Sequence, residues 1–205
     1  LYNNSWGNFD FNATLGGNLY KVNNQTIVTT AKDMKIRDVV ALMSFNEVSV
    51  EPYSYRKQIN SIYGAVNLGW KHMLYFDATL RGDQSSTLPI SNNMYIYPSF
   101  SGSFVFSELL KLGDKLPYGK VRMSWAQVGS DTDPYQLGLV YTKSKFAYPG
   151  YTIGYISNGT IPNKDLKPTK TNSFEMGLEL KFLKNRIGLD FTYYSQLSKN
   201  QIMGM

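Results

Sequence analysis

Cysteine is absent from the 205 residues, and histidine occurs once, at His72. The first absence excludes disulfides and thiolate metal sites. A single histidine excludes a two-histidine metal site, and its place at a short turn excludes a Ser-His mechanism with a buried base elsewhere. His72 lies in a short segment between two strand-like stretches, where we expect a solvated turn residue. We therefore expect no metal, no cofactor and no enzymatic activity.

Long apolar runs are also missing. No stretch reaches the roughly 18 consecutive apolar residues of a transmembrane helix. The chain opens with LYNNSWGNFD rather than with a hydrophobic leader, which predicts a mature form or a fragment. The formal net charge is +6, but the basic residues are scattered, which argues against a nucleic-acid partner.

Seven stretches alternate apolar and polar residues, and no charged residue falls in the apolar register. In one of them, Leu74, Phe76, Ala78 and Leu80 alternate with Tyr75, Asp77, Thr79 and Arg81. Such alternation predicts strands with one apolar and one wet face. The strands are expected near 8–20, 60–70, 73–83, 95–106, 119–128, 172–181 and 186–196. Most are about ten residues long, enough for a tilted strand to cross a bilayer, and the pattern suggests a barrel wall between lipid and water.

The links between these strands are alternately short and long. Lys71-His72 and a segment around Lys184-Asn185 are short, and the link after strand four is moderate, with one helical turn expected. The links 21–59, 84–94 and 129–171 are long. This rhythm predicts an all-β fold, part of an antiparallel transmembrane β-barrel with short periplasmic turns and long extracellular loops. Within 31–45 a short loop helix is expected.

The odd number of predicted strands has a topological consequence. Seven strands place the two chain ends on opposite sides of the membrane. Because closed antiparallel bacterial barrels have an even strand number, an odd count suggests a piece of a larger barrel, unless 21–59 hides a further strand.

Charged residues of the polar register are candidates to line the lumen. They are Asp77, Arg81, Arg122, Glu175, Glu179 and Asp190. The alternative is an ion-pair network that only satisfies these charges. As a glycosidase pair, Glu175 and Glu179 would be about 13 Å apart on a strand, at about 3.3 Å per residue, which is too far.

Tyrosines are concentrated in the link 129–171. Tyr135, Tyr141, Tyr148, Tyr151 and Tyr155 are expected either to contact a sugar or a partner protein, or to pack the loop onto itself. Asp131 and Asp133 lie in the same link. They lack the ligand spacing of a calcium loop, and we expect an ordinary turn there.

Further aromatic residues lie near predicted strand ends, and those on the apolar register fit a girdle at the membrane interface. They are Trp70, Tyr75, Tyr95, Tyr97, Tyr193 and Tyr194.

Four stretches in order resemble the barrel of SusC-like TonB-dependent transporters of Bacteroidetes. They are HMLYFDATLRGDQSSTLP, YIYPSFSGSFVFSELL, KVRMSWAQVGSDTDPYQ and IPNKDLKPTKTNSFEMGLELKFLKNRIGLDFTYYSQLSKNQI. Together they cover about residues 60–203. Gln84, Gln127 and Ser130 depart from the family pattern, and the chain ends in QIMGM without the usual aromatic residue.

The resemblance implies a location and a set of partners. It places the chain in the outer membrane of a Gram-negative bacterium, as part of an importer of oligosaccharides or peptides. Expected partners are membrane lipid, the rest of the transporter, TonB and a SusD-like lipoprotein acting as a lid. Residues 1–205 are then part of the barrel alone, with the plug and the TonB-binding segment outside the chain. Because family barrels have about 22 strands, the seven predicted strands would form only a portion of the wall. The alternatives are a secreted β-sandwich acting as a carbohydrate-binding or enzyme module, and a small passive porin.

Overall fold

A computed structural model describes residues 1–110, 113, 116–143, 151, 153–156 and 161–202. Its elements are β1 (Tyr2–Trp6), β2 (Phe9–Met34), β3 (Phe45–Trp70), β4 (Leu74–Ser85), β5 (Met94–Val105), α1 (Phe106–Leu110), β6 (Tyr118–Ser130), β7 (Tyr141–Lys143), β8 (Gly154–Ile156), β9 (Thr169–Phe182) and β10 (Ile187–Lys199). Short 3₁₀ turns occupy Leu42–Ser44 and Ile90–Asn92. The helical turn expected after strand four is α1.

Eight strands form one antiparallel sheet in the order β1-β2-β3-β4-β5-β6-β9-β10, and β7 pairs with β8 in a separate ribbon. Within the described residues, β1 and β10 are the edges of the large sheet. The expected count of seven was therefore wrong by one. The extra strand is β1, which precedes the first predicted strand rather than lying in 21–59. Because β1 runs antiparallel to β2, the first and last strands run in opposite directions, which reverses the topological inference drawn from seven strands.

The largest difference from expectation lies between residues 21 and 59. Most of this segment is strand, because β2 and β3 stay paired from Phe9↔Trp70 to Met34↔Phe45. The short helix expected in 31–45 was wrong, since only a 3₁₀ turn forms there. The β-branched run 26–30, with Val50 opposite Thr29 and Val48 opposite Ala31, favours extended backbone over helix.

Each of these two strands has 26 residues. A tilted strand needs only about 9–11 residues to cross a bilayer. Most of the half of the hairpin nearest the connection between β2 and β3 therefore extends beyond the thickness of a membrane.

The register gives the sheet one apolar and one polar face. Paired positions share a face, so one apolar row runs across seven strands: Phe9, Trp70, Leu74, Phe104, Val121, Leu178 and Phe191. Other residues of the same face are strongly exposed, with Leu15 at 76% and Leu80 at 55%. An exposed apolar face of this extent is typical of a surface that an apolar partner or phase covers.

No described element forms a second layer on this sheet. The elements in extensive contact are neighbouring strands of the sheet, the two strands of the β7–β8 ribbon, and α1 with the adjacent β6. The described residues thus form one large sheet rather than the two packed sheets of the β-sandwich alternative. Among the described residues, the buried hydrophobic side chains are only Leu88 and Tyr95. None of the described helices is long and apolar enough to cross a membrane.

Candidate functional site

All six predicted lumen residues lie on the polar face of the sheet. Asp77 on β4 is the simplest case, because it bridges two neighbouring strands. Asn67 Nδ2 on β3 donates to its Oδ1 at 2.6 Å, and Ser101 Oγ on β5 donates to its Oδ2 at 2.9 Å. The carboxylate is thus held by neutral donors rather than by an ion pair.

Arg81 lies four residues further along β4, on the same face. It binds the carboxylate of Asp83, which was not among the predicted site residues. Its Nε donates to Asp83 Oδ1 at 2.9 Å, and its Nη2 donates to Ser61 Oγ at 3.0 Å. The hydroxyl of Tyr97 on β5 donates to the other oxygen of Asp83. Asp83 is buried, at 6% exposure, so these bonds offset the cost of removing its charge from water.

Arg122 on β6 gathers two of the other candidates. Its guanidinium lies 3.8 Å from Glu175 on β9 and 3.6 Å from Asp190 on β10, and it donates to Thr192 Oγ1 at 2.8 Å. These side chains are close to half exposed, so the pairs are individually weak.

Glu179 belongs to a separate pair on the same face. Its Oε1 lies 3.8 Å from Lys181 Nζ. The two glutamates of β9 therefore have different partners, and no shared carboxylate site forms between them.

A buried polar cluster at the loop end of the sheet escaped the sequence analysis. Asp131, predicted to be an ordinary turn residue, accepts from Lys57 Nζ at 2.8 Å, from Ser85 Oγ at 2.5 Å and from Thr87 Oγ1 at 3.1 Å. We call these four residues the loop anchor. Ser85 and Thr87 are almost fully buried. The anchor ties the start of the β6–β9 loop to β3 and to the end of β4.

Tyr95 is one of the few buried hydrophobic residues of the described part of the chain. Its ring lies directly over Gly129 on β6, where an added Cβ would be 2.3 Å from the ring. Tyr95 and Tyr97 stack at 5.9 Å between ring centroids. Both lie on the polar face, because they pair with Asp83 and Arg81, and so they are not part of an interfacial girdle.

The other aromatic residues at strand ends divide between the faces. Trp70 and Tyr193 share the apolar face with Phe9 and Met176, their partners across the strands. Tyr75 and Tyr194 occupy the opposite register.

The described loop tyrosines are exposed. Tyr135, Tyr141, Tyr151 and Tyr155 have exposures of 61%, 76%, 74% and 51%; Tyr148 lies outside the described residues. In the β7–β8 ribbon, Tyr141 pairs with Ile156 and Thr142 pairs with Tyr155. Adjacent pairs face opposite sides, so Tyr141 and Tyr155 point away from each other.

The family model for the TonB-dependent receptor-like β-barrel matches residues 1–204. The chain belongs to this family. Its members are outer-membrane proteins of Gram-negative bacteria, which confirms the expected location and fold. The SusC-like resemblance is likewise confirmed by the relatives.

Two curated relatives and one solved structure illustrate the likeness. TonB-dependent receptor P3 of Formosa agariphila is 25% identical over 205 residues, which are 95% of the chain and 20% of the relative. TonB-dependent receptor SusC of Bacteroides thetaiotaomicron is 30% identical over 147 residues, 67% of the chain and 15% of the relative. The RagAB peptide transporter superposes with a TM-score of 0.85 at 21% identity, covering 96% of the chain and 22% of that structure. The chain thus spans about a fifth of the first relative's length.

Proposed function

We propose that this chain is a section of the barrel wall of a TonB-dependent importer in the outer membrane. The observation that carries the proposal is the two-sided sheet. One face is apolar and exposed across seven strands, and the other holds charged side chains in hydrogen bonds. Within a family of outer-membrane barrels, such a sheet fits lipid on the first face and a polar lumen on the second.

The lumen lining in this proposal consists of the six predicted charged residues together with Asp83. Their bonds hold the wall in register, as in the ion-pair alternative, but the half-exposed groups around Arg122 stay accessible to a plug or a solute. We assign a structural role to the buried Asp83 pair and a contact role to the exposed Arg122 group.

The remainder of the barrel is a required partner. β1 and β10 lack an outer neighbour in the described part of the chain, and unpaired strand edges are prohibitively costly in lipid. Further strands of the same transporter would pair with these edges, and its plug would fill the lumen. Contact with TonB would be made by a part of the transporter outside this chain.

The long-loop end of the sheet is assigned to the cell exterior. The exposed tyrosines of the β6–β9 loop lie there, opposite the short turns. Tyrosine rings stack on sugars and fill pockets of partner proteins at modest entropic cost. They support contact with substrate or with a SusD-like lipoprotein lid.

The substrate class is oligosaccharide or peptide. The likeness to the RagAB peptide transporter supports the peptide class, and the oligosaccharide class rests on the SusC-like resemblance. A passive porin is the second candidate for the same wall. Family membership favours the importer, because the family is that of TonB-dependent receptors.

Uptake by intact cells tests the proposal. Cells expressing the full-length receptor that contains this chain are given fluorescent oligosaccharides or peptides, with and without TonB and with and without the cognate lipoprotein. We expect uptake of one class only, lost without TonB. Uptake that persists without TonB would contradict the importer and favour the passive porin. Equal uptake with and without the lipoprotein would contradict the proposed role of the lipoprotein as a lid.

A further inference from the structure

We propose that the apolar face carries a seat for one phospholipid, with an acyl chain in a groove and a phosphate at Lys71. The inference rests on the assignment of this face to lipid in the proposed function. It goes beyond that assignment because it selects one place on the wall, with a defined headgroup contact, from a surface that otherwise meets lipid without preference.

The groove lies where small residues meet on neighbouring strands. Ala13, Val66 and Ala78 are partners across β2, β3 and β4, and Gly64 lies one row further along β3. The depression has a volume of about 640 Å³. It is lined mainly by apolar groups, as an acyl chain requires.

Larger side chains form the walls of this groove. Leu15 and Leu80 stand beside Gly64 and are 76% and 55% exposed. Phe100 closes the β5 side and is stacked on Trp125 of β6, with ring centroids 6.1 Å apart and an angle of 14° between the planes. Tyr2 of β1 lines the opposite side, so a chain lying along the floor meets side chains on both sides.

A cation lies at the end of the same strands. Lys71 follows β3, and its Nζ is 4.9 Å from the centroid of the Trp70 ring. The Trp70 ring is on the apolar face, with its centroid 6.3 Å from that of the Phe9 ring. Within the described part of the chain, Lys71 is in no ion pair with a carboxylate. An ammonium held over an interfacial tryptophan is placed to meet a lipid phosphate.

The distance between cation and groove matches one leaflet. Gly64 is six residues from Trp70, about 20 Å along a strand at about 3.3 Å per residue. A strand tilted by about 40° converts this into roughly 15 Å of depth, half of the roughly 30 Å hydrocarbon core. A phospholipid with its phosphate at Lys71 would thus lay its acyl chain into the groove near the bilayer midplane. The ligand is a phospholipid of the leaflet on the short-turn side.

Native mass spectrometry of the full-length receptor tests the seat, with phosphatidylglycerol or phosphatidylcholine as the added probe. Ala78→Phe and Gly64→Val fill the groove; a Cβ at Gly64 has no neighbour closer than 3.7 Å, so the second change is compatible with folding. Val121→Phe, on the same face outside the groove, is the matched control. Lys71→Gln removes the cation, and Lys184→Gln in the β9–β10 turn is its control.

We expect one phospholipid retained by the wild type, lost in both groove variants and kept in Val121→Phe. Lys71→Gln should bind phosphatidylglycerol about fivefold more weakly, the effect of one basic residue near an anionic lipid, while Lys184→Gln is unchanged. Equal retention by the groove variants and Val121→Phe would overturn the groove. Equal binding by the two lysine variants would overturn the phosphate contact.

Binding of lipopolysaccharide in preference to phospholipid would contradict the assignment of the ligand to the leaflet on the short-turn side. Solute uptake is measured separately. A receptor that imports through TonB but retains no lipid contradicts only the seat, whereas one that retains the lipid but does not import contradicts only the importer.

Discussion

The side chain of Arg122 lies across Gly177 on the neighbouring strand and so reaches Asp190 two strands away. A Cβ built on Gly177 would be 2.2 Å from Nε and 2.8 Å from Cγ of this arginine. Gly177 is therefore a position of close approach rather than of a turn. One side chain of β6 thereby contacts both strands of the terminal hairpin, β9 at Glu175 and β10 at Asp190.

Substitution of Gly177 by alanine should displace Arg122 and weaken the attachment of β10. We expect the free energy of unfolding to fall by about 1 kcal/mol or less, because Arg122 is a flexible, half-exposed side chain whose ion pairs are individually weak. Urea titration of the full-length receptor in lipid vesicles measures it. Gly188→Ala on β10 is the control, because an added Cβ there meets nothing within 4 Å.

A double-mutant cycle isolates the cause of this effect. If the clash with Arg122 is responsible, Gly177→Ala should cost little in an Arg122→Ala background, since the two changes affect one contact. A cost that is the same in both backgrounds would assign the glycine to another role.

Adjacent positions on β9 test which face meets lipid. Leu178→Arg places a charge on the apolar face and should cost about 2–4 kcal/mol near the bilayer midplane. Glu179→Arg changes the charge on the polar face and should cost much less. The measurement is the free energy of folding of the full-length receptor into lipid vesicles. Equal penalties at the two positions would contradict the assignment of faces.

Strands with a clear alternation were predicted well from sequence. β9 and β10 were expected at 172–181 and 186–196 and occupy Thr169–Phe182 and Ile187–Lys199. The apolar and polar registers of Phe174–Leu180 depend only on neighbouring residues, so the face of each candidate residue followed directly. Alternation of this kind is a local property of the chain.

Two features of the sheet had no such local signal. In β1, Asn3, Asn4 and Ser5 make both registers polar, so nothing marked a strand. Beyond about residue 20, β2 and β3 lose their apolar face, and their extended form depends on pairing with each other along the hairpin. Pairing partners across such a distance cannot be seen in a single short window of sequence.

The loop anchor was missed for the same reason. Lys57 and Asp131 are 74 residues apart in the chain and meet only because three strands bring them to one end of the sheet. The Asp/Ser-rich run at 83–87 was visible, but its role depends on where the β6–β9 loop begins. Contact across a sheet is set by topology rather than by composition.

Removal of the carboxylate at Asp131 should loosen the β6–β9 loop. In Asp131→Asn, Lys57 would remain largely buried without its counter-charge, since its side chain is 15% exposed. We expect a loss of about 3 kcal/mol, typical of breaking a buried ion pair. Faster limited proteolysis between residues 131 and 168 and a lower unfolding midpoint would report it. Asp133→Asn, an exposed position of the same loop, is the control and should behave as the wild type.

The orientation of the sheet in the membrane is tested by single cysteines at its two ends. Tyr151→Cys lies in the β6–β9 loop at a position that is 74% exposed, and Asn185→Cys lies in the turn between β9 and β10. The chain contains no cysteine of its own; any cysteine elsewhere in the full-length receptor is first replaced. A membrane-impermeant maleimide added to intact cells should label position 151 and leave position 185 unlabelled, because the turns are assigned to the periplasm.

A second readout of this experiment is the change in labelling when the SusD-like lipoprotein is added. Adding the lipoprotein should reduce labelling at position 151, because a protein seated on the loop excludes the reagent from the tyrosine surface. Labelling at position 185 instead of 151 on intact cells would reverse the orientation. Labelling at 151 that is unchanged by lipoprotein and by substrate would keep the orientation and contradict the contact role of the tyrosine loop. Labelling of both positions after the outer membrane is permeabilised shows that both thiols are reactive, so that protection on intact cells reports location.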